Sequence, residues 1–281
     1  MRKISMTTSQ YMKWGNEPDA FAKMAEIGFN ACDFSSLANI HGDLYKLDRN
    51  EWNRVFADVK KNAASAGVEL YQAHGPWVWP CDNETEEGRA VWMQRMLDCL
   101  DACERIECPH LVVHPIMVYA DRPVPDEAEY LRINREFWET LLPHAEKHGI
   151  TLLLENMPHT NQPIASPDKM AKFVESFHNP YFAMCLDTGH SLVVGQKLDD
   201  SVHTIGKMLK AFHVHDNFGN YDWHITPGFG VGDWEAFRTA VKETVDESVP
   251  LSLETGAGKL TGELQKEYLR FLAKLAAWLA N

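Results

Sequence analysis

The sequence has no apolar run that approaches the ~20 residues of a membrane-spanning helix. Its first residues, MRKISMTTSQ, also lack the continuous apolar stretch of a secretory signal peptide. No CxxC pair occurs among the six cysteines, which argues against a zinc knot and favours free thiols. We therefore expect a cytoplasmic protein without a membrane partner, because free thiols persist in a reducing compartment.

Basic residues are also scarce: 27 Lys and Arg stand against 40 Asp and Glu, a formal net charge of −13. A nucleic-acid backbone is bound mainly by clustered Lys and Arg. The charge balance therefore argues against nucleic acid as a partner, and we expect a small-molecule ligand instead.

The chain contains no low-complexity segment and no Ser- or Pro-rich linker that would separate two domains. Its 281 residues, 45% of them hydrophobic, suffice for one large core. We therefore predict a single domain over residues 1–281. No glycine-rich dinucleotide fingerprint follows the first predicted strand, which disfavours the rival open, doubly wound sheet.

Hydrophobic patterning predicts eight strands that alternate with helices. The predicted strands are residues 3–8, 29–36, 68–77, 110–116, 152–158, 182–190, 211–217 and 251–256. The predicted helices are residues 18–27, 48–66, 86–107, 125–148, 167–178, 198–209, 233–246 and 261–280, with Asp48 and Ser166 as N-caps. Eight such units in a chain of this length predict an α/β fold, a single (β/α)8 TIM barrel.

Four successive predicted strands are apolar runs that stop at an ionisable residue. The stretches LLLENMP, FAMCLDTGH, AFHVHDN and LSLETG supply Glu155, Asp187, His213 and Glu254. The carboxyl ends of barrel strands meet at one mouth, where three carboxylates would repel each other unless a cation compensates them. We therefore expect one divalent metal ion on these four residues. Their oxygen-rich set suits Mn²⁺, Mg²⁺ or Co²⁺, with Zn²⁺ as an alternative.

The other strand-end histidines are predicted to contact substrate: His74, His114, His190 and His215. A lone histidine is more often a satisfied polar residue, so the prediction depends on their convergence at one mouth. Asp33 also lies near a strand end, and Asp216 is expected to be structural.

Three residues in predicted loops are further candidate substrate contacts. The aromatic faces of Trp14 and Trp77 suit stacking against a sugar, although such rings also close barrel mouths. Lys259 is one of the few loop bases and would hold a carboxylate or phosphate. The glycine-rich loop 217–234 contains no Lys or Arg, so it offers no phosphate cradle. An unphosphorylated sugar or keto-polyol is therefore the favoured substrate.

The motifs LENMP, CLDTGH, FHVHDN followed by DWH and PGFG, and LSLETG resemble the xylose-isomerase-like superfamily of sugar isomerases and epimerases. The resemblance implies a TIM barrel with Glu155, Asp187, His213 and Glu254 as metal ligands. It also implies that Glu155 and Glu254 act as acid and base, and that His190 contacts substrate oxygens. The arginine that ketose epimerases carry shortly after the strand-seven histidine is absent here, since 217–219 reads NFG.

The expected function is a divalent-metal-dependent isomerase or epimerase that moves a proton through an enediolate. One alternative is a dehydratase or lyase of the inosose or dehydroshikimate type. Another is an abasic-site endonuclease of the endonuclease IV type with three zinc ions, since nine positions match its ligands: His74, His114, Glu155, Asp187, His190, His213, Asp222, His224 and Glu254. A non-catalytic sugar-binding protein is the third.

The sequence leaves open whether the chain forms a homo-oligomer. The apolar final helix, which ends in AKLAAWLAN, is expected to pack on its own barrel rather than on a neighbouring copy.

Overall fold

A computed structural model describes residues 1–11, 17, 19–120 and 122–281. Its strands are β1 Ile4–Thr7, β2 Ala31–Phe34, β3 Glu69–His74, β4 His110–Val113, β5 Thr151–Glu155, β6 Phe182–Asp187, β7 Leu209–His213 and β8 Leu251–Leu253. Its α-helices are α1 Ala20–Ile27, α2 Arg49–Ala66, α3 Glu86–Ile106, α4 Glu127–His148, α5 Pro167–Glu175, α6 Thr188–Val193, α7 Leu198–Ile205, α8 Trp234–Thr244 and α9 Gly262–Ala280.

The eight strands form one parallel sheet in the order β7-β6-β5-β4-β3-β2-β1-β8. The two ends of this sheet meet beyond β7, where Val214 N donates to Ser252 O (2.8 Å) and Glu254 N donates to Val214 O (3.1 Å). The sheet is therefore nearly closed, and the predicted (β/α)8 barrel is confirmed.

The sixth and seventh strands differ from their predicted bounds. The carboxylate of Asp187 accepts a hydrogen bond from His190 N (2.6 Å), so the chain turns into α6 there and His190 lies on a helix. The helix predicted to reach residue 209 ends at Ile205, followed by Gly206 at φ +56°. Strand β7 consequently begins at Leu209, two residues earlier than predicted.

One of the two predicted helix caps is confirmed. The carboxylate of Asp48 accepts from the N–H groups of Asn50 and Glu51 at the start of α2, in a reciprocal capping box. Ser166 occupies the N-cap position of α5, but its hydroxyl donates to Asp168 Oδ1 (2.6 Å) instead of accepting from the backbone.

Small and medium side chains fill the barrel interior below its mouth: Val112, Leu153, Ala183, Cys185 and Ala211. All six cysteines are buried and unpaired, as expected for free thiols. Helix α9 buries one face on its own barrel, as predicted. In the described part of the chain, no helix combines the length and apolarity of a membrane span.

The glycine-rich loop after β7 folds around a buried carboxylate. Asp216 accepts hydrogen bonds from the N–H groups of Gly228 (2.9 Å), Gly230 (2.9 Å) and Gly232 (3.1 Å), and from the indole of Trp234 (2.8 Å). A Cβ on Gly230 would overlap Asp216, so this close approach requires glycine. The structural role predicted for Asp216 agrees with these contacts.

Asp216→Asn should destabilise the protein because it replaces one acceptor oxygen by a donor and leaves buried N–H groups unpaired. We expect a loss of about 2–4 kcal/mol in the free energy of unfolding, measured with urea. The exposed control Asp200→Asn should stay within about 0.5 kcal/mol of the wild type. Equal stability of the two variants would contradict this role for Asp216.

Candidate active site

A cavity of about 370 Å³ opens at the carboxyl ends of the strands, where the ionisable residues were predicted to converge. Its floor includes Glu155 and Glu254. It also includes His74, the last residue of β3, and His114, the first residue after β4. Among the described residues, no Lys or Arg lines it. The ionisable groups of its described lining are therefore carboxylates and histidines, and they include Asp222 and His224 from the loop after β7.

Glu155 lies at the centre of this floor and is fully buried. Its Oε2 is 3.0 Å from His114 Nε2, 3.1 Å from His213 Nδ1 and 3.9 Å from His74 Nε2. Glu254 approaches the same imidazole, with Oε2 3.2 Å from His213 Nδ1. Three of the four predicted metal ligands therefore converge on one point.

Asp187, the fourth predicted ligand, has other immediate neighbours. One oxygen caps α6, and the other lies 3.0 Å from His215 Nε2. It is connected to Glu155 through His190, whose Nδ1 is 3.6 Å from Asp187 and 3.5 Å from Glu155. Asp187, His190 and His215 form one group close enough to hold a metal ion.

His213 is oriented from across the barrel. Its Nε2 donates to Asp33 Oδ2 (2.7 Å), which also accepts from Gln72 Nε2 (3.1 Å). The buried Nδ1 of His213 has no hydrogen-bond partner and faces Glu155 and Glu254. A carboxylate that fixes one ring nitrogen while the other faces acidic oxygens is typical of a metal-binding histidine. Sequence analysis noted Asp33 but did not detect this role.

Three more histidines have their ring orientation fixed by backbone carbonyls. The Nδ1 of His74, His190 and His224 donates to Gly75 O (2.8 Å), Asn156 O (2.7 Å) and Glu254 O (2.9 Å), respectively. Each ring therefore turns Nε2 towards the cavity, where it can bind a metal or a substrate hydroxyl.

The charges of the site are unevenly shared. Burial favours the uncharged form of Glu155, but His213 and His114 outweigh it and hold the pKa of this carboxyl well below its usual range. Burial, aided by Glu155 and Asp187, instead raises the pKa of Glu254. Burial lowers the pKa of His213, yet the surrounding acidic groups raise it well above its ordinary value. The cluster therefore attracts positive charge, either as protons or as a metal cation.

A second acidic group borders the first. Asp222, from the loop after β7, has Oδ2 3.2 Å from His190 Nε2 and 3.0 Å from His224 Nε2. His215 stacks on His224, with ring centroids 4.0 Å apart. His215, Asp222 and His224 form another group that could hold a cation. In the sequence, Asp222 and His224 belong to the DWH motif and were candidate metal ligands only under the endonuclease alternative.

The structure brings some of the predicted substrate contacts together and not others. His74, His114, His190 and Trp77 line the cavity. His215 is fully buried behind His224 and Asp187, and a Cβ on Gly189 would overlap its ring. Lys259 is exposed in the loop after β8 and does not line the cavity. Trp14 lies outside the described residues.

Sequence analysis did not single out two lining residues, His159 and Tyr221. Each lies in a loop that follows a strand ending in predicted ligands, and this position is the signal that could have identified them. Loop conformation decides which side chains in such a segment turn towards the cavity.

Sequence relatives match only part of the chain. A probable endonuclease 4 from Halorhodospira halophila is 28% identical over 148 residues, which covers 47% of this chain and 50% of that protein. The chain thus aligns with only about half the length of this relative.

Solved structures align with the whole barrel. A D-psicose 3-epimerase crystallised with D-fructose has a TM-score of 0.76 at 16% identity and 99% coverage of both chains. The 3-keto-D-glucoside 4-epimerase YcjR from E. coli gives 0.75 at 16% identity, again with 99% coverage of both. The IOLI protein with a bound zinc atom gives 0.74 at 14% identity, covering 98% of this chain and 96% of that one. These similarities show a common fold.

The family model described as Xylose isomerase-like TIM barrel matches residues 21–275, nearly the whole barrel. It includes every strand but β1, and with them all the residues gathered at the mouth. The chain therefore belongs to the xylose isomerase-like TIM barrel family.

Proposed function

We propose that this protein is a divalent-metal-dependent isomerase or epimerase of an unphosphorylated sugar or keto-polyol. One observation carries the proposal: Glu155 and Glu254, from different strands, both place an oxygen within 3.2 Å of His213 Nδ1 at the floor of the cavity. A non-catalytic sugar-binding site has no need of two carboxylates in this arrangement.

The residues present fit a divalent cation. The unpartnered, buried Nδ1 of His213 and the carboxylates that face it supply nitrogen and oxygen donors, and Asp187 completes the proposed set of four with Glu155 and Glu254. Such donors suit Mn²⁺, Mg²⁺ or Co²⁺, and the zinc in the similar IOLI structure keeps Zn²⁺ as an alternative. When bound, the ion would stabilise negative charge that develops on substrate oxygens beside the reacting carbon.

Glu155 and Glu254 are suited to opposite roles in proton transfer. The two carboxylates face His213 Nδ1 from different strands, so one can accept a proton from the carbon beside a carbonyl while the other returns one. Donation to the opposite face of the same carbon gives epimerisation. Donation to the neighbouring carbon gives isomerisation.

The cavity lining supports an uncharged substrate. His74, His114 and His190 can bind hydroxyl groups, and Trp77 offers an apolar face. Arg122, a loop base, is paired with Glu84 (2.7 Å) outside the cavity. The proposal therefore includes a small-molecule partner and excludes nucleic acid. We also propose a cytoplasmic location for the protein, because its six cysteines are unpaired.

The endonuclease reading has one specific observation in its favour. Asp222 and His224 complete a second acidic group beside His190. Most of the nine positions that match the endonuclease ligands therefore contact another of the nine. Against it, the described lining of the cavity has no Lys or Arg to neutralise phosphates. We therefore keep it as the second candidate.

Replacement of either proposed acid/base group should abolish turnover. We expect Glu155→Gln and Glu254→Gln each to lower proton exchange by about 10²–10⁴-fold, because the amide can neither accept nor donate the proton. The assay is NMR of metal-loaded protein with ketoses, inososes and keto acids in D₂O. It also detects loss of water, the signature of the dehydratase alternative.

The exposed control Glu146→Gln should retain full exchange. Circular dichroism and thermal unfolding of all three variants would show whether they remain folded. Wild-type exchange in folded Glu155→Gln or Glu254→Gln would refute the assignment.

Metal analysis separates the two candidates. We expect about one divalent ion per chain after dialysis against excess metal, measured by plasma mass spectrometry. About three zinc ions per chain, together with cleavage of abasic-site DNA, would favour the endonuclease instead.

Asp33→Asn should weaken metal binding without touching the metal, because it removes the carboxylate that orients His213. A drop of about 10–100-fold in metal affinity is expected from titration calorimetry. Asp200→Asn should bind metal like the wild type. Unchanged affinity in Asp33→Asn would show that His213 does not depend on Asp33.

A further inference from the structure

A strip of aromatic rings leads from the floor of the cavity to the solvent. Trp77 packs edge-on against His114, with centroids 4.2 Å apart. Trp79 stacks on Trp77 (6.1 Å, 20°), and His159 stacks on Trp79 (4.4 Å, 15°). We call Trp77, Trp79 and His159 the aromatic strip; all three line the cavity.

A second cavity of about 460 Å³ lies on the other side of Glu254. It shares His74, Trp77, His224 and Glu254 with the first cavity, so the proposed acid/base group stands between the two. The rest of its lining is mostly small, polar and uncharged, including Ser9, Gln10, Ser35, Asn39 and Thr255. Such groups suit sugar hydroxyls.

The two cavities differ in chemistry and share Glu254 and Trp77 in their lining. Each alone falls in the range of about 300–1,000 Å³ that holds a drug-sized ligand. A sugar bound beside Glu155 and Glu254, with its hydroxyls in the polar cavity, leaves Trp79 uncovered because Trp77 lies between Trp79 and His114. Trp79 is 42% exposed and lines the cavity, so part of its indole is open to a ligand.

We propose that the substrate is a neutral two-ring compound: a keto-sugar whose carbonyl-bearing ring lies at Glu155 and Glu254, linked to a second ring that stacks on the aromatic strip. The inference rests on the proposed function for the position of the reacting ring. The second ring is an aromatic group or another sugar, since both present a flat apolar face to an indole. Among the described residues, no Lys or Arg lines either cavity, which favours rings without a phosphate or carboxylate.

The test compares the binding of methyl and phenyl β-D-glucopyranoside to the metal-loaded protein by ligand-observed NMR titration. These probes differ only in the second ring and lack the carbonyl, so neither turns over. The phenyl compound should bind about tenfold more tightly, equivalent to about 1.4 kcal/mol. Trp79→Ala should bring the ratio of the two dissociation constants close to one.

Trp278→Ala is the matched control, because Trp278 is 39% exposed on α9, outside both cavities. It should keep the tenfold preference. Equal affinities in the wild-type protein, no binding of either probe, or a preference that survives Trp79→Ala would each overturn the inference.

The keto derivatives of the same two glycosides test the proposed function separately. Proton exchange in D₂O should follow the same preference. A binding preference that depends on Trp79, without exchange of either keto compound, would refute the proposed function and leave the second-ring site standing. Exchange with equal efficiency for both keto compounds would support the proposed function and refute the second-ring site.

Discussion

Repulsion between buried carboxylates is the constraint on which the rest of the site depends. Glu155 and Glu254 face one imidazole nitrogen of His213, and Asp187 lies close enough to influence their pKa values. Charges so close together in a poorly hydrated interior cannot all remain negative without compensation. In the protein alone, the pKa values of His213 and Glu254 are raised, which favours protons as this compensation. A bound dication would displace these protons, so protons and a metal ion are alternative ways to neutralise the same carboxylates.

The closed barrel is what makes this arrangement possible. Parallel pairing sets Glu155 beside Cys185 and Asp187 beside His213, which brings the proposed ligands from β5, β6 and β7 to adjacent levels of the wall. Asp33 then reaches His213 from β2, on the opposite side of the barrel. In an open sheet with the same order, β2 and β7 would lie several strands apart. The carboxylate that orients His213 is therefore available only because the sheet closes.

This dependence on closure explains what the sequence could and could not predict. Each apolar run is local, so its end at Glu155 or His213 can be read from a few neighbouring residues. The Asp33–His213 contact spans 180 positions and has no local signal. Asp187 was identified as a ligand type, but its second role as the cap of α6, which ends the strand and moves His190 onto a helix, depends on backbone geometry.

His215 shows the limit of strand periodicity. Alternation correctly places it on the same side as His213, yet that side is the barrel mouth only as far as the strand continues. Strand β7 ends at His213, and His215 beyond it stacks on His224 with Nε2 3.0 Å from Asp187. The orientation of the His215 ring is therefore set by the loop after β7, which brings His224 against it.

The loop after β7 also accounts for the missing arginine. At the first position after Asp216, Asn217 donates from its amide to Gly189 O (2.6 Å) and accepts from Gly219 N (2.7 Å), so this segment braces the backbone. Asp216 fixes the glycine N–H groups further along. The loop is thus ordered by buried polar groups, and among the described residues it contributes no Lys or Arg to the mouth. Under the proposed function, recognition then depends on hydroxyl-binding groups and aromatic faces, so the charge of a substrate would limit its binding more than its size.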